Sequence, residues 1–105
     1  MANLKNNGTE LARLRRVAPS EGLEPPFEQI LSVRSNGWIL KRTTSTGWKQ
    51  WQQWKPAGRQ TSTLPQQVRH LQDNCGYVLE AGSIEAVAAG WTALCEKAFG
   101  RRRVA

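Results

Sequence analysis

The sequence has no long apolar run. None of its 105 residues lies in a segment that approaches the ~18 consecutive apolar residues needed to span a bilayer. Polar Asn6, Asn7 and Gly8 follow Lys5, where a signal peptide would be apolar. These absences predict a cytoplasmic protein without a membrane segment.

Residues that usually form catalytic or metal centres are scarce. The chain has one histidine, His70, and two cysteines, Cys75 and Cys95, which do not form a Cys-x-x-Cys pair. Zinc sites need such clustered ligands, and nucleophilic sites need a serine or cysteine beside a histidine and a carboxylate. We therefore expect no enzymatic activity, no metal and no cofactor. The cysteines are expected to be reduced thiols in the core, with a disulfide or a redox switch as the alternative.

Acidic residues are almost absent from the middle of the chain. Between residues 27 and 63, six basic residues accompany Glu28 alone, which gives a net charge of +5. Residues 64–99 carry a net charge of −2, and residues 101–103 are three arginines. A local excess of positive charge favours an anionic partner.

Tryptophan is abundant in the same acid-poor region. Residues 35–56 hold four of the five tryptophans, interleaved with Lys41, Arg42, Lys49 and Lys55. Aromatic side chains that stack on bases and cations that bind phosphates together characterise nucleic-acid-binding surfaces. This stretch is therefore the predicted functional region.

The stretch begins with a predicted β-hairpin. Asn36-Gly37 separates two strand-like segments, residues 29–35 and 38–43, and this dipeptide is typical of a two-residue type I′ turn. A two-residue turn fixes which residues lie opposite each other. The core face of this hairpin would contain Leu31, Val33, Trp38 and Leu40.

A third strand is predicted from Trp48 to Trp54. A four-residue loop before it would leave Trp48 and Trp54 exposed beside Arg34 and Lys41, with Trp51 in the core. A loop one residue different would exchange the faces, and the sequence leaves both registers open. The three-residue spacing of the tryptophans also fits a helical turn or a polyproline-like segment, and burial of at least two tryptophans in the core is an alternative to a binding role.

Two helices are predicted after the tryptophan-rich stretch. Thr63 begins a capping-box pattern, which predicts a helix ending near Asn74. Ser83 as N-cap predicts a second helix that ends before Gly100. A short fourth strand near Tyr77 is an alternative to an extended connection between the helices.

The first 26 residues have little regular pattern. A helix from Thr9 to Val17 would be too short to be stable alone, and prolines from Pro19 onward interrupt any longer element. Residues 1–26 are therefore predicted to be a flexible basic arm, which either folds on nucleic acid or remains a solvated tail. Residues 101–105 are predicted to be a basic tail.

The predicted fold class is α+β. It has a three-stranded, or four-stranded, antiparallel β-meander packed on one face by two C-terminal α-helices, in a single domain over residues 27–100. The predicted function is nucleic-acid binding, DNA or RNA, by a sheet face that contacts phosphates and stacks on bases. The alternatives are an adaptor or inhibitor that binds an acidic protein, and a homodimer formed through a sheet edge. The predicted binding residues are Arg34, Lys41, Trp48, Lys49, Trp51, Trp54, Lys55 and Arg59.

Overall fold

The computed structural model describes residues 8–18, 27–43, 47–58 and 62–100. These residues form five β-strands and two α-helices, so the predicted α+β class is confirmed. No helix in these ranges is long and apolar enough to cross a bilayer. In chain order the elements are β1 (Glu10–Ala18), β2 (Phe27–Arg34), β3 (Trp38–Thr43), β4 (Lys49–Gln53), α1 (Leu64–Asn74), β5 (Val78–Gly82) and α2 (Ile84–Phe99).

All five strands belong to one antiparallel sheet with the order β4-β3-β2-β1-β5. Two of these strands are additional to the three of the predicted meander. β5 is the fourth strand that was an alternative near Tyr77, and β1 is a fifth strand that was not expected. The edges of the sheet are therefore β4 and β5.

The prediction of a flexible arm is wrong for residues 10–18. These residues form β1, which pairs with β2 on one side and with β5 on the other. Ala12 and Leu14 are fully buried in the core, whereas Arg13 and Arg15 alternate with them. Burial of one face and backbone pairing along both edges stabilise this strand, whereas an isolated helix of the same length would be only marginally stable. Residues 1–7, 19–26 and 101–105, where the rest of the arm and the tail were predicted, lie outside the described ranges.

The turn between β2 and β3 also differs from the prediction. The Gly37 N–H donates to the Arg34 carbonyl at 3.0 Å, and Gly37 has a φ of +89°, whereas Asn36 has a negative φ. The connection therefore has three residues, with glycine alone in the left-handed region, instead of the two-residue type I′ turn. Asn-Gly is compatible with both turns, because glycine tolerates a positive φ in each of them.

The longer turn shifts the strand register by one residue. Val33 pairs with Ile39, and Ser32 pairs with Leu40. A shift of one residue exchanges the two faces of a strand. Ile39 therefore lies on the helix face, where Trp38 and Leu40 were predicted. Leu40 is still fully buried, but on the opposite face, and Trp38 is only partly buried.

Both helices pack on the same face of the sheet. Val68 of α1 and Val87 of α2 are fully buried together with Leu14, Leu31 and Ile39, which the register places on that face. Burying each such side chain contributes about 1.5–3 kcal/mol. The full core cluster is Ala12, Leu14, Leu31, Val33, Ile39, Trp54, Leu64, Val68, Leu71, Tyr77 and Val87.

The predicted helix starts are confirmed. The Thr63 hydroxyl accepts from the Gln66 N–H at 3.3 Å, and the Gln66 side chain accepts from the Thr63 N–H at 2.8 Å. The Ser83 hydroxyl accepts from the Ala86 N–H at 3.0 Å. These bonds satisfy backbone donors that the first helical turn leaves unpaired.

Arg16 joins β1 to the end of α1. Its Nε donates to Gln29 Oε1 at 2.7 Å, and its Nη1 donates to the Cys75 carbonyl at 2.9 Å. The guanidinium also lies 4.8 Å from the centre of the Tyr77 ring. Cys75 and Cys95 are both free thiols and only partly buried. A basic residue assigned to a flexible arm therefore has a structural role.

We expect Gly37→Ala to destabilise the protein more than Gly76→Ala. Both glycines have a positive φ, which costs other residues about 1–2 kcal/mol. A Cβ at Gly37 would also overlap the Trp54 carbonyl, whereas a Cβ at Gly76 would lie in open space. Urea unfolding of both variants measures the difference, and equal losses would contradict a close contact between Gly37 and Trp54.

Alkaline pH should destabilise the protein partly through Tyr77. Burial raises the pKa of the Tyr77 phenol, with the Arg16 charge opposing the shift. The phenol of the unfolded chain ionises near pH ~10. The stabilisation that comes from the raised pKa of Tyr77 is therefore complete at neutral pH, and it is lost as the pH rises above the pKa of the unfolded phenol and through the pKa of the folded protein. The free energy of unfolding should be measured from about pH 8 to about pH 11.5, a range that includes the pKa of the unfolded phenol. Over this range it should fall less steeply with pH for Tyr77→Phe. Identical profiles for the two proteins would contradict this.

Candidate nucleic-acid interface

Within the part of the chain that the structure describes, no helix packs on one face of the sheet, which we call the open face although Ser32 and Leu40 on it are fully buried. Arg13, Ser32, Leu40 and Gln50 lie across it in one row, because each is the cross-strand partner of the next. The adjacent row of cross-strand partners lies on the helix face and contains Leu14 and Leu31, which are in the core. The predicted binding residues can therefore be assigned to one face or the other.

A β-bulge in β4 separates the tryptophans. Ile39 pairs with Gln52 and Leu40 pairs with Gln50, so Trp51 is the extra residue. A bulge interrupts the strict alternation of side chains along a strand. As a result Trp48 lies on the open face and Trp54 lies on the helix face.

Trp54 is part of the core, and the prediction that it stacks on bases is wrong. Its side chain is 3 % exposed and belongs to the cluster under the helices. Its backbone N–H donates to the Gly37 carbonyl at 2.8 Å, which continues the β3–β4 pairing past the end of β4. Its indole Nε1 is buried without a hydrogen-bond partner among the described residues. Such a side chain contributes to stability and is not available to a ligand.

Trp51 is exposed and Trp48 is partly buried, and each ring is next to a cation from β3. The Arg42 guanidinium lies 5.1 Å from the centre of the Trp48 ring. The Lys41 ammonium lies 5.6 Å from the centre of the Trp51 ring, which is 40 % exposed. Cation–π contacts of this kind contribute about 0.5–1 kcal/mol at exposed sites. They hold the two rings on opposite faces of the sheet edge.

The predicted cations are also distributed over both faces. Lys49 is exposed and lies opposite Lys41 on the helix side of the edge, and Lys55 is exposed beyond β4. Arg34 is half-buried on the open face, where it donates to Ser32 Oγ at 3.1 Å and to the Gly8 carbonyl at 2.6 Å. The remaining predicted residue, Arg59, lies outside the described ranges.

The predicted residues therefore share an edge and not a single face. We call residues 38–43 and 47–58 the β3–β4 edge. They contain four basic residues and no acidic residue, so the whole edge is positively charged. Arg42, which was noted in the basic stretch but not among the predicted binding residues, belongs to this edge through its contact with Trp48.

The other half of the open face is electrically balanced. Arg13 donates to Glu10 at 2.9 and 3.1 Å, and this hydrogen bond and the charge of Glu10 raise the pKa of the Arg13 guanidinium. Arg15 pairs with Glu28 and lies 3.8 Å from Glu80. Arg13 and Arg15 are thus neutralised by neighbouring carboxylates. The β3–β4 edge, in contrast, has basic residues and no acidic residue of its own.

A depression lies on the open face between β1 and Trp48. It has a volume of about 280 Å³ and combines an aromatic wall with both acidic and basic side chains. Residue patterns alone did not identify it, because β1 had been assigned to the arm. The alternation of arginines with Ala12 and Leu14 was the signal that could have found it. Its lining residues are Thr9, Glu10, Arg13, Ser32, Arg34 and Trp48.

Comparison of the chain with protein-family models, with curated proteins and with solved structures found no match. Within the described ranges, no group of three or more His, Cys, Asp or Glu side chains is placed to hold a metal ion. The function is therefore inferred from the geometry and charge of the sheet.

Trp54 and Trp51 should differ sharply in their effects on stability. Trp54→Ala leaves a cavity in the core and should destabilise the protein by about 3–5 kcal/mol. Trp51→Ala removes an exposed ring on the same strand segment and should cost less than about 1 kcal/mol. Urea unfolding of the two variants measures both values. A small loss for Trp54→Ala would mean that its ring is not in the core.

Proposed function

We propose that the protein binds nucleic acid through the β3–β4 edge. The observation that carries the proposal is the combination found there: four basic residues, no acidic residue, and two tryptophan rings on opposite faces, Trp51 exposed and Trp48 partly exposed. Phosphates bind such cations without regard to sequence, and bases stack on accessible aromatic rings.

The strand register supports this proposal independently of composition. Lys41 and Lys49 lie directly opposite each other in β3 and β4. Like charges in that position repel and destabilise a sheet by about 0.2–1 kcal/mol. A bound phosphate between them would relieve the repulsion. A pair of lysines that destabilises the free protein in this way is expected at a site where a polyanion binds.

The balanced half of the sheet supports the same location. Arg13 and Arg15 are paired with glutamates, so a phosphate there would meet carboxylates as well as guanidinium groups. At the β3–β4 edge the cations have no acidic neighbour within residues 38–58. A nucleic-acid backbone would therefore follow the β3–β4 edge.

The exposed edge of β4 supports a second candidate, a protein-interaction module. β4 has one neighbour, β3, in the described sheet, so a strand of another protein, or of a second copy, could add to its other side. However, β4 also has the bulge at Trp51 and the exposed Lys49, and these features commonly block strand addition. Nucleic-acid binding is therefore the favoured proposal.

Lys49→Gln should weaken nucleic-acid binding without destabilising the protein. The substitution removes one phosphate contact and also the repulsion with Lys41, so the free energy of unfolding should stay equal or rise. Fluorescence anisotropy with a labelled single-stranded oligonucleotide should show log K falling against log salt, with a slope smaller by about 0.7 for the variant. Arg69→Gln removes an equal charge from the exposed surface of α1 and is the matched control.

Three outcomes would count against the proposal. No detectable binding at low salt would exclude it. Equal losses for Lys49→Gln and Arg69→Gln would show a nonspecific charge effect instead of a defined edge. A stoichiometric dimer that dissociates on substitution of β4 residues, together with absence of oligonucleotide binding, would favour the protein-interaction module.

A further inference from the structure

We propose that the depression beside Trp48 receives one unstacked base of a single strand, and that Glu10 favours bases with an exocyclic amino group. The inference rests on the proposed nucleic-acid binding and specifies its substrate. It concerns the open face, where the depression and the positively charged edge meet at Trp48. A strand whose phosphates follow the β3–β4 edge would pass the mouth of the depression.

The size and lining of the depression suit a single flat ring. Its volume of about 280 Å³ is at the lower limit of pockets that hold small molecules, which are about 300–1,000 Å³. Trp48 supplies an aromatic wall, and stacking on such a ring is available only to a base that has left its own stack. A duplex presents its bases already stacked and paired. The depression therefore selects single strands.

Glu10 makes the depression a site for a base and not for a phosphate. Its side chain is 22 % exposed, and its carboxylate repels an anion. Of the two arginines that line the depression, Arg13 donates to both carboxylate oxygens of Glu10, and Arg34 donates to Ser32 Oγ and to the Gly8 carbonyl. A neutral ring with hydrogen-bonding edges is the part of a nucleotide that this arrangement accepts.

The hydrogen bonds of Glu10 indicate which base edge it would accept. Oε2 accepts from Arg13 Nε at 3.1 Å and from Ser32 Oγ at 2.6 Å, whereas among the described residues Oε1 accepts only from Arg13 Nη2, at 2.9 Å. Each carboxylate oxygen has two lone pairs, so Oε1 can accept one more donor. Cytosine, adenine and guanine have an exocyclic amino donor, whereas thymine and uracil present carbonyl oxygens that a carboxylate repels.

The depression is already ordered in the free protein. Thr9 and Ser35 are joined by two hydrogen bonds, from the Ser35 N–H to the Thr9 carbonyl at 2.8 Å and from the Thr9 N–H to Ser35 Oγ at 2.9 Å. Arg34 adds its bond to the Gly8 carbonyl. These contacts fix the start of β1 against the β2–β3 turn. Little conformational entropy is then lost when a base enters.

Anisotropy measurements with short labelled oligonucleotides test the inference. A deoxycytidine oligomer should bind about tenfold more tightly than a deoxythymidine oligomer of equal length, as one hydrogen bond to a charged group would give. A duplex, and a cytidine oligomer with abasic sites, should both bind more weakly than the intact single strand. The cytidine, thymidine and abasic strands have the same phosphate backbone, so comparisons among these three isolate the base.

Three variants locate the effect. Trp48→Ala should lower affinity for the cytidine oligomer about tenfold or more and abolish the preference for cytidine over thymidine, whereas Trp51→Ala, on the other face of the β3–β4 edge, should keep that preference even if overall affinity falls. Glu10→Gln should remove the preference for cytidine over thymidine, with folding checked by thermal unfolding. The comparison of ligands on the unmodified protein needs no variant to fold.

The outcomes separate this inference from the proposed function. Absence of binding to every oligonucleotide overturns both. Salt-dependent binding that is equal for cytidine and thymidine, equal for intact and abasic strands, or stronger for the duplex overturns the base site and leaves the β3–β4 edge as a phosphate-binding surface. Retention of the preference for cytidine over thymidine in Trp48→Ala, or its loss in Trp51→Ala, also overturns the base site.

Discussion

The close approach of Trp54 to Gly37 is the contact that fixes the arrangement of the sheet. The Gly37 N–H closes the β2–β3 turn, and its carbonyl accepts the Trp54 N–H, so one residue positions three strands. A side chain at Gly37 would overlap the Trp54 carbonyl and approach Leu94 of α2 at 3.3 Å. Only glycine lets the turn, the end of β4 and the second helix meet. The contact among these three elements decides which tryptophans are buried.

The helices could be predicted because their signals are local. Thr63 and Ser83 bond to residues three positions away, and such patterns are visible in any window of sequence. The strand register could not be predicted in this way. Asn36-Gly37 fits two turn lengths, and the choice between them depends on how Ile39 and Trp54 fill the core under the helices. β1 was missed because its partners lie elsewhere in the chain.

The candidate site shows the same division. Composition located the β3–β4 edge, because an acid-free basic stretch with tryptophans is a property of the sequence itself. Composition did not assign the faces, since a single bulge at Trp51 sends Trp48 and Trp54 to opposite sides. It also gave no partner for Arg13, which Glu10 neutralises in the sheet. Strand pairing determines whether a charge is neutralised and whether a tryptophan ring is accessible, and tertiary contacts determine the strand pairing.

The position of β1 inside the sheet has a consequence for the order of folding. Strands β1 to β4 pair with sequence neighbours, but Arg15 of β1 pairs with Val78 of β5, far along the chain. Contacts between distant residues form late, because closing a long loop costs entropy before any contact compensates for it. Until α1 has formed and brought β5 into place, β1 has an unpaired edge. The chain is therefore most vulnerable to mispairing during synthesis, before residues 78–82 have emerged.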